Sequence, residues 1–431
     1  MKFVSTNNKA QAVSFKDALS NGLAEDGGLY VPQKINKLKQ EYLDELDSMS
    51  FVEIGEGIAK PFIGEEIPSE VLSKIVNETL SFEIPLIGLS DNISVLELFH
   101  GPTMAFKDVG ARFMARCLSY FTKDKDRDTT VLVATSGDTG SAVAHGFYGV
   151  EGIKVVILYP KGKVSEFQER QMTTLGKNIT TLEVDGTFDD CQRMVKAAFK
   201  EDGITENIAL TSANSINIAR LIPQMFYYFI AYQQRSKEDL VFSVPSGNYG
   251  NLTAGLMAKK LGLPIKKFVA SSNVNEIVPD YLKTGEFSPK DSIQTISNAM
   301  DVGNPSNFAR MMYLYDGSLE QISKDVEGCS FNDADTRNII WKVWDNYNYV
   351  MDPHGAIGYL GLIQSLESFD DMKNTQGIFL ETAHPSKFRE VVEPVLEEKI
   401  SYPEDFEMDS GPKLSIPLKN DMEQLKEILI S

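Results

Sequence analysis

Residues 131–158 read VLVATSGDTGSAVAHGFYGVEGIKVVIL. An apolar run at 131–135 passes into a glycine-bearing loop at 136–140. A helical stretch follows to Tyr148, and a second apolar run occupies 155–158. Two short apolar strands around one helix, within about 30 residues, make a βαβ unit. The strands must run parallel, because a crossover of that length replaces the tight turn of a hairpin. Outward from this unit the alternation continues. Candidate strands lie at 179–184, 207–211, 240–244 and 266–271, with a helix at 187–200 whose apolar positions are Met194, Val195, Ala198 and Phe199. The pattern predicts an α/β chain with two open, mostly parallel sheets flanked by helices. Gly137 and Gly247 each mark a strand-to-helix loop, one per sheet, with a ligand expected between them. Upstream, residues 1–80 read as mixed loops and helices, with Val71, Leu72, Ile75, Val76 and Leu80 on one helical stripe.

The chain has 431 residues, enough for two or three domains and for a core that needs no staples. Lys plus Arg number 42 and Asp plus Glu 61, a net charge of −19. That balance argues against nucleic-acid partners, which need a basic face, and against anionic membranes. It also means that any small anionic ligand must be captured by a local positive site. Cys117, Cys191 and Cys329 are far apart and form no CxxC, so neither a disulfide framework nor a zinc site is expected. His100, His145, His354 and His384 are too scattered for a metal cluster. The N-terminal stretch has no apolar signal region, and no apolar run approaches the ~20 residues of a membrane span. A soluble cytoplasmic protein is expected.

Four segments are candidates for chemistry. In HGPTMAFKD (residues 100–108), Gly-Pro punctuates the chain before a helix on which Val109, Phe113, Cys117 and Phe121 repeat at i+4, with Arg112 and Arg116 on another face. Lys107 falls in the first turn, where the helix dipole opposes a cation and favours a lowered pKa, as a Schiff-base lysine requires. Taken alone, such a lysine is more often solvated. SGDTG (136–140) and SGNYGN (246–251) join strands to helices, where backbone amides can face an anion. The second has neither the lysine of a P-loop nor GxGxxG spacing, and reads equally as a tight turn with Asn in the left-handed region. In SANSINIAR (212–220), Arg220 can hold a phosphate in bidentate fashion, while Asn214 or Ser215 can equally be a helix N-cap. His354 in MDPHG and His384 in TAHP read as structural.

Taken together and in order, these segments resemble the threonine synthases, pyridoxal-phosphate enzymes of fold type II. GLAEDGGLYVP (22–32), HGPTMAFKD, SGDTG, SANSINIAR, SGNYGN, SNAMDVGNPSNF (297–308), MDPHGA (351–356) and ETAHPSKF (381–388) carry the resemblance through most of the chain. It implies that Lys107 holds pyridoxal 5'-phosphate and acts as the main proton carrier. Gly247, Asn248, Tyr249, Gly250 and Asn251 would cradle the cofactor phosphate. Asp138, a position that is Asn in many relatives, would meet the pyridine 3′-oxygen, and Thr382 would face the pyridine nitrogen. Ser136, Thr139, Asn214, Ser215 and Arg220 would hold the carboxylate and phosphate of the substrate, O-phospho-L-homoserine. The activity implied is its conversion with water to L-threonine and phosphate. A phospho-lyase or amino-acid dehydratase of the same fold is the alternative. The resemblance also implies an N-terminal extension over 1–90, a larger domain from 91–125 and 225–431, a smaller inserted domain over 126–224, and a monomer or homodimer.

Overall fold

The computed structural model describes residues 1–123, 128–135, 137–235, 239–369, 375–404 and 411–430. Its larger sheet has six strands in the order Val326–Ser330, Ile265–Ser272, Asp239–Pro245, Thr375–Glu381, Ile93–Glu97, Leu86–Gly88. All pairings are parallel except the last, where Leu86–Gly88 runs antiparallel along the edge. The smaller sheet is wholly parallel, in the order Ile416–Lys419, Ile179–Asp185, Ile153–Pro160, Thr129–Ala134, Ala209–Thr211. Helices cover both, as the sequence pattern predicts. Every residue of Thr129–Ala134 is buried, which is why this stretch reads as a continuous apolar run and not as an alternation.

The helical part of residues 1–80 resolves into Phe15–Asn21, Gln40–Glu45, Phe51–Ile63 and Ser69–Thr79, the last carrying most of the apolar stripe. Leu72, Ile75, Val76 and Leu80 are buried as expected, and Val71 is half-buried. Ahead of them, Phe3–Ser5 pairs antiparallel with Tyr30–Pro32. One apolar core continues from Phe3, Phe15 and Phe62 through Phe113 and Val133 to Tyr228, Phe242 and Phe268. The N-terminal segment is therefore packed into the same core as both sheets. The outer face of the smaller sheet has its own cluster, in which Leu132, Leu158 and Leu182 meet Met194 from Phe188–Ala198. Leu418, Leu425 and Leu429 complete that cluster. Strand Ile416–Lys419 therefore lengthens the smaller sheet, although 225–431 was expected with the larger one. Its alternate residue Leu418 is the buried one, so its register follows the apolar face of its neighbour Ile179–Asp185.

Candidate active site

Three adjacent parallel strands of the larger sheet deliver the chemistry-bearing loops at their carboxyl ends, where open α/β sheets bind ligands. Asp239–Pro245 leads into residues 246–251, Thr375–Glu381 into 382–387, and Ile93–Glu97 into 98–107. Two adjacent strands of the smaller sheet do the same: Thr129–Ala134 leads into 135–140 and Ala209–Thr211 into 212–220. The Lys107 and Thr382 loops are stitched together. Ala105 bridges Ala383, the Phe106 amide donates to the Thr382 carbonyl at 2.9 Å, and the His384 amide donates to the Met104 carbonyl at 3.1 Å. Buried Asp108 locks the turn from behind by accepting the Thr103 amide at 2.9 Å and the Thr103 hydroxyl at 2.6 Å.

Lys107 opens helix Lys107–Thr122, with its side chain 19% exposed. Its Nζ lies 3.9 Å from Asp138 Oδ2 and donates no hydrogen bond among the described residues. Burial lowers the ammonium's pKa; Asp138 opposes this, while Lys387 and Arg220 add to it. The lowered value expected from the helix dipole therefore has burial as its leading cause. Asp138 also accepts from Gln168 Nε2 at 2.9 Å and sits 2.7 Å from Lys387 Nζ. Burial pushes the Asp138 carboxyl up, but Lys387, Lys107 and Gln168 together hold it well below the usual carboxylate range. Asp138 is thus an anion between two lysines. Lys387, wholly buried, also donates to the Thr103 carbonyl at 2.8 Å. Thr382 is buried beside this group, and Thr139 is half-buried in the first turn of Asp138–Phe147. Ser136 lies outside the described residues.

The 246–251 loop is a concave row of backbone donors. The amides of Gly247, Asn248, Tyr249, Gly250 and Asn251 have no partner among the described residues, and helix Gly250–Lys260 begins there. Tyr249, not an asparagine, is the left-handed residue, at φ 57°. Its ring is buried and its hydroxyl pairs with Ser272 Oγ at 2.7 Å. The Asn251 side chain is spent locally, with Nδ2 on the Pro245 carbonyl at 2.9 Å and Oδ1 accepting from Ser246 Oγ at 2.8 Å. Both residues therefore offer the cradle their amides alone. Asn248 reaches outward and donates to Ser215 Oγ at 2.6 Å, which ties this loop to 212–220.

In that second loop the N-cap is Asn217, whose Oδ1 accepts the Ala219 amide at 3.0 Å; it is neither Asn214 nor Ser215. Ser215 Oγ accepts from Asn248, and Asn214 Oδ1 is buried without a partner among the described residues. Arg220 is buried, with Nη1 on the Ala213 carbonyl at 2.5 Å and Nε unpartnered among the described residues. Burial brings its pKa down to about 10, so it is still a cation at neutral pH. Arg310 braces the loop from behind. It donates to the Ile216 carbonyl at 2.6 Å and to the Tyr30 carbonyl at 2.8 Å. The two histidines read as structural are tied locally. His354 pairs with Asp352 and accepts the Ala299 amide at 3.2 Å, and His384 Nδ1 meets Ser386 Oγ at 2.8 Å.

Comparison with known proteins bears on this constellation. The family profile described as pyridoxal-phosphate dependent enzyme matches residues 84–377, and the profile described as threonine synthase N terminus matches residues 2–80. The threonine synthase of Buchnera aphidicola subsp. Schizaphis graminum is 45% identical over the whole of both chains. That of Escherichia coli (strain K12) is 42% identical over the same full coverage. The chain belongs to the threonine synthase family. Solved threonine synthases superpose across the whole molecule. The E. coli enzyme gives a TM-score of 0.91 at 42% identity, covering 100% of this chain and 99% of that one. The Brucella melitensis enzyme, solved with PLP bound, gives 0.94 at 33% identity with the same coverage.

A threonine synthase uses pyridoxal phosphate, and the residues present fit it. Among the described residues, a half-buried amine without a hydrogen bond, a row of unpaired amides and a buried, partly unsatisfied Arg220 are groups that a phosphorylated cofactor and an anionic substrate would satisfy. Neither motif nor periodicity marks Lys387, Gln168 or Arg310 in the sequence. Lys387 lay inside the quoted ETAHPSKF segment, where its proximity to Asp138 is a product of tertiary structure. Gln168 carries no local signal in its helix, Glu166–Thr173.

Proposed function

We propose that the chain catalyses the conversion of O-phospho-L-homoserine and water to L-threonine and phosphate. One observation carries this reading. Two sets of donors, the amides of residues 247–251 and the buried Arg220 Nε, have no partner among the described residues, and the Asn248–Ser215 hydrogen bond ties together the two loops that carry them. One suits the phosphate of the cofactor. The other suits the phosphate of the substrate, which an unphosphorylated serine or threonine could not use.

When bound through Lys107, pyridoxal phosphate supplies an electron sink that acidifies the substrate's Cα–H and then its Cβ–H. The cradle amides would anchor the cofactor's phosphate, Asp138 would meet its 3′-oxygen and Thr382 its ring nitrogen. Ser136, Thr139, Asn214, Ser215 and Arg220 orient the substrate's two anionic ends. Lys107 Nζ, once free, would take the protons from Cα and Cβ and return protons to Cγ and Cα. The atoms balance: phosphate leaves Cγ, Cγ gains a proton, the water's OH joins Cβ, and the water's remaining proton leaves on the phosphate. A lowered amine pKa suits this role, because a base must be free of its proton at working pH. Cytoplasmic residence as a monomer or homodimer belongs to the same reading, in keeping with three buried free cysteines. So does a division into an N-terminal extension, a larger unit and a smaller one over about 126–224, now with the strand at 416–419 added to the smaller unit. Lys107→Ala tests the assignment. It is expected to abolish both the visible absorbance of the holoenzyme and turnover while leaving the circular dichroism of the folded chain unchanged. Retention of both by the variant would refute it.

A further inference from the structure

The segment over residues 297–308 forms one wall of the 246–251 loop. Gly247 makes the approach possible, since a Cβ there would stand 2.6 Å from Met300 Cα. The Ser306 amide donates to Asn248 Oδ1 at 2.6 Å. The next residue, Asn307, is fully buried, and the two ends of its amide meet different surroundings. Oδ1 accepts from Arg310 Nη1 at 2.7 Å. Nδ2 is shielded from solvent, has no hydrogen-bond partner among the described residues, and lies 3.5 Å from the point where Gly250 would carry a Cβ. Rotating the amide does not remove the orphan. A guanidinium has donors only, so the oxygen must face Arg310 and the NH2 must face Gly250.

Arg310 is held just as firmly. It is fully buried and donates to the carbonyls of Tyr30 and Ile216 as well as to Asn307. No carboxylate is among its described hydrogen-bond or ion-pair partners. Its positive charge polarises the Asn307 amide and makes Nδ2 a better donor. A buried NH2 left unpaired in the folded chain is costly. The arrangement is explained when an acceptor arrives with a ligand at the start of helix Gly250–Lys260, where anions are favoured.

We propose that Asn307 Nδ2 is a side-chain donor of the phosphate cradle and binds an oxygen of the cofactor's 5′-phosphate, beside the backbone amides of residues 247–251. The proposal rests on reading that loop as the cradle. Arg310 then acts through Asn307 as a positioning residue. It couples the N-terminal segment at Tyr30 to cofactor retention without touching the cofactor.

The test is a titration of the full-length apo-protein with pyridoxal 5'-phosphate and, separately, with pyridoxal, which lacks the phosphate. Asn307→Asp keeps the acceptor that Arg310 needs and replaces the inward donor with a carboxylate that repels phosphate. The expected result is a pyridoxal phosphate Kd raised by about tenfold or more. The pyridoxal Kd should change by less than about threefold, because no phosphate contact is lost, and apo-protein melting should not fall. An unchanged preference for pyridoxal phosphate over pyridoxal would overturn the proposal. If Asn307→Asp fails to fold, Asn307→Ser, whose hydroxyl is withdrawn from the cradle, is read in the same assay with the same expected direction and the same overturning result. Gly250→Asp checks the cradle itself. If it leaves the preference intact, the cradle reading fails and Asn307 falls with it. If it removes the preference while the Asn307 variants do not, only the role of Asn307 is overturned.

Discussion

Asp138 sits between two lysines, and the unexpected one, Lys387, is nearer at 2.7 Å. Because Lys387 is the largest influence lowering the Asp138 pKa, against the opposing effect of burial, Lys387→Met should let that pKa rise. Two consequences follow. In the enzyme, the acid limb of the kcat/KM profile should move to higher pH, and Lys387→Arg should partly restore it. In the apo-protein, the stabilisation from Asp138 is complete above the unfolded carboxyl pKa of ~3.9 and is lost as pH falls through the lower folded value. The variant should therefore unfold at higher pH on acid titration. Superimposable profiles would mean that Lys387 serves packing alone. At this scale the sequence singles out Lys107 and Asp138 but not Lys387, which pairs with Asp138. Lys107 and Asp138 announce themselves by position at helix starts. Lys387 is brought beside Asp138, and Asn307 beside Gly250, only by tertiary contacts, and no periodicity encodes those.

The elements themselves were largely legible where the physics is local. The βαβ unit over 131–158 appears as Thr129–Ala134, Asp138–Phe147 and Ile153–Pro160, because a strand buried on both faces must be continuously apolar. Thr375–Glu381 was not read as a strand although it is central and fully buried. Its Thr-Gln-Gly start interrupts the apolar signal, and sheet neighbours on both sides override that weak local preference. The edge strand Val326–Ser330, with Glu327 and Gly328, escaped for the same reason. In the SGNYGN loop the side chains of Tyr249 and Asn251 hold the turn together, and its backbone amides are left without partners among the described residues. Gly247 is the position where the loop tolerates no side chain, because the added Cβ would meet backbone at Met300 and not a flexible tip. Gly247→Ala should destabilise the fold by about 1–3 kcal/mol and raise the Kd for pyridoxal phosphate. A melting curve and a cofactor titration check both, and a variant with wild-type values would show that the 297–308 wall yields freely.

Across the whole molecule, a net charge of −19 surrounds a cleft that must bind two phosphates. The structure divides the labour. The positive potential is local, from helix-start amides, Lys107, Lys387 and Arg220, and the acidic excess belongs to solvated surfaces where screening weakens it. Arg220→Ala should raise KM for O-phospho-L-homoserine about tenfold or more, as expected for losing a charge-assisted contact. Neutralising several outer carboxylates should change KM far less, and the reverse order would contradict this division. The central claim is that phosphate is eliminated at carbon and water then adds at Cβ. Turnover of O-phospho-L-homoserine in water enriched with oxygen-18 tests it most directly. The account predicts equal amounts of threonine and phosphate, with the heavy oxygen in the threonine hydroxyl and none in the phosphate at the moment of release. Heavy oxygen in the phosphate, or 2-oxobutyrate in place of threonine, would contradict it.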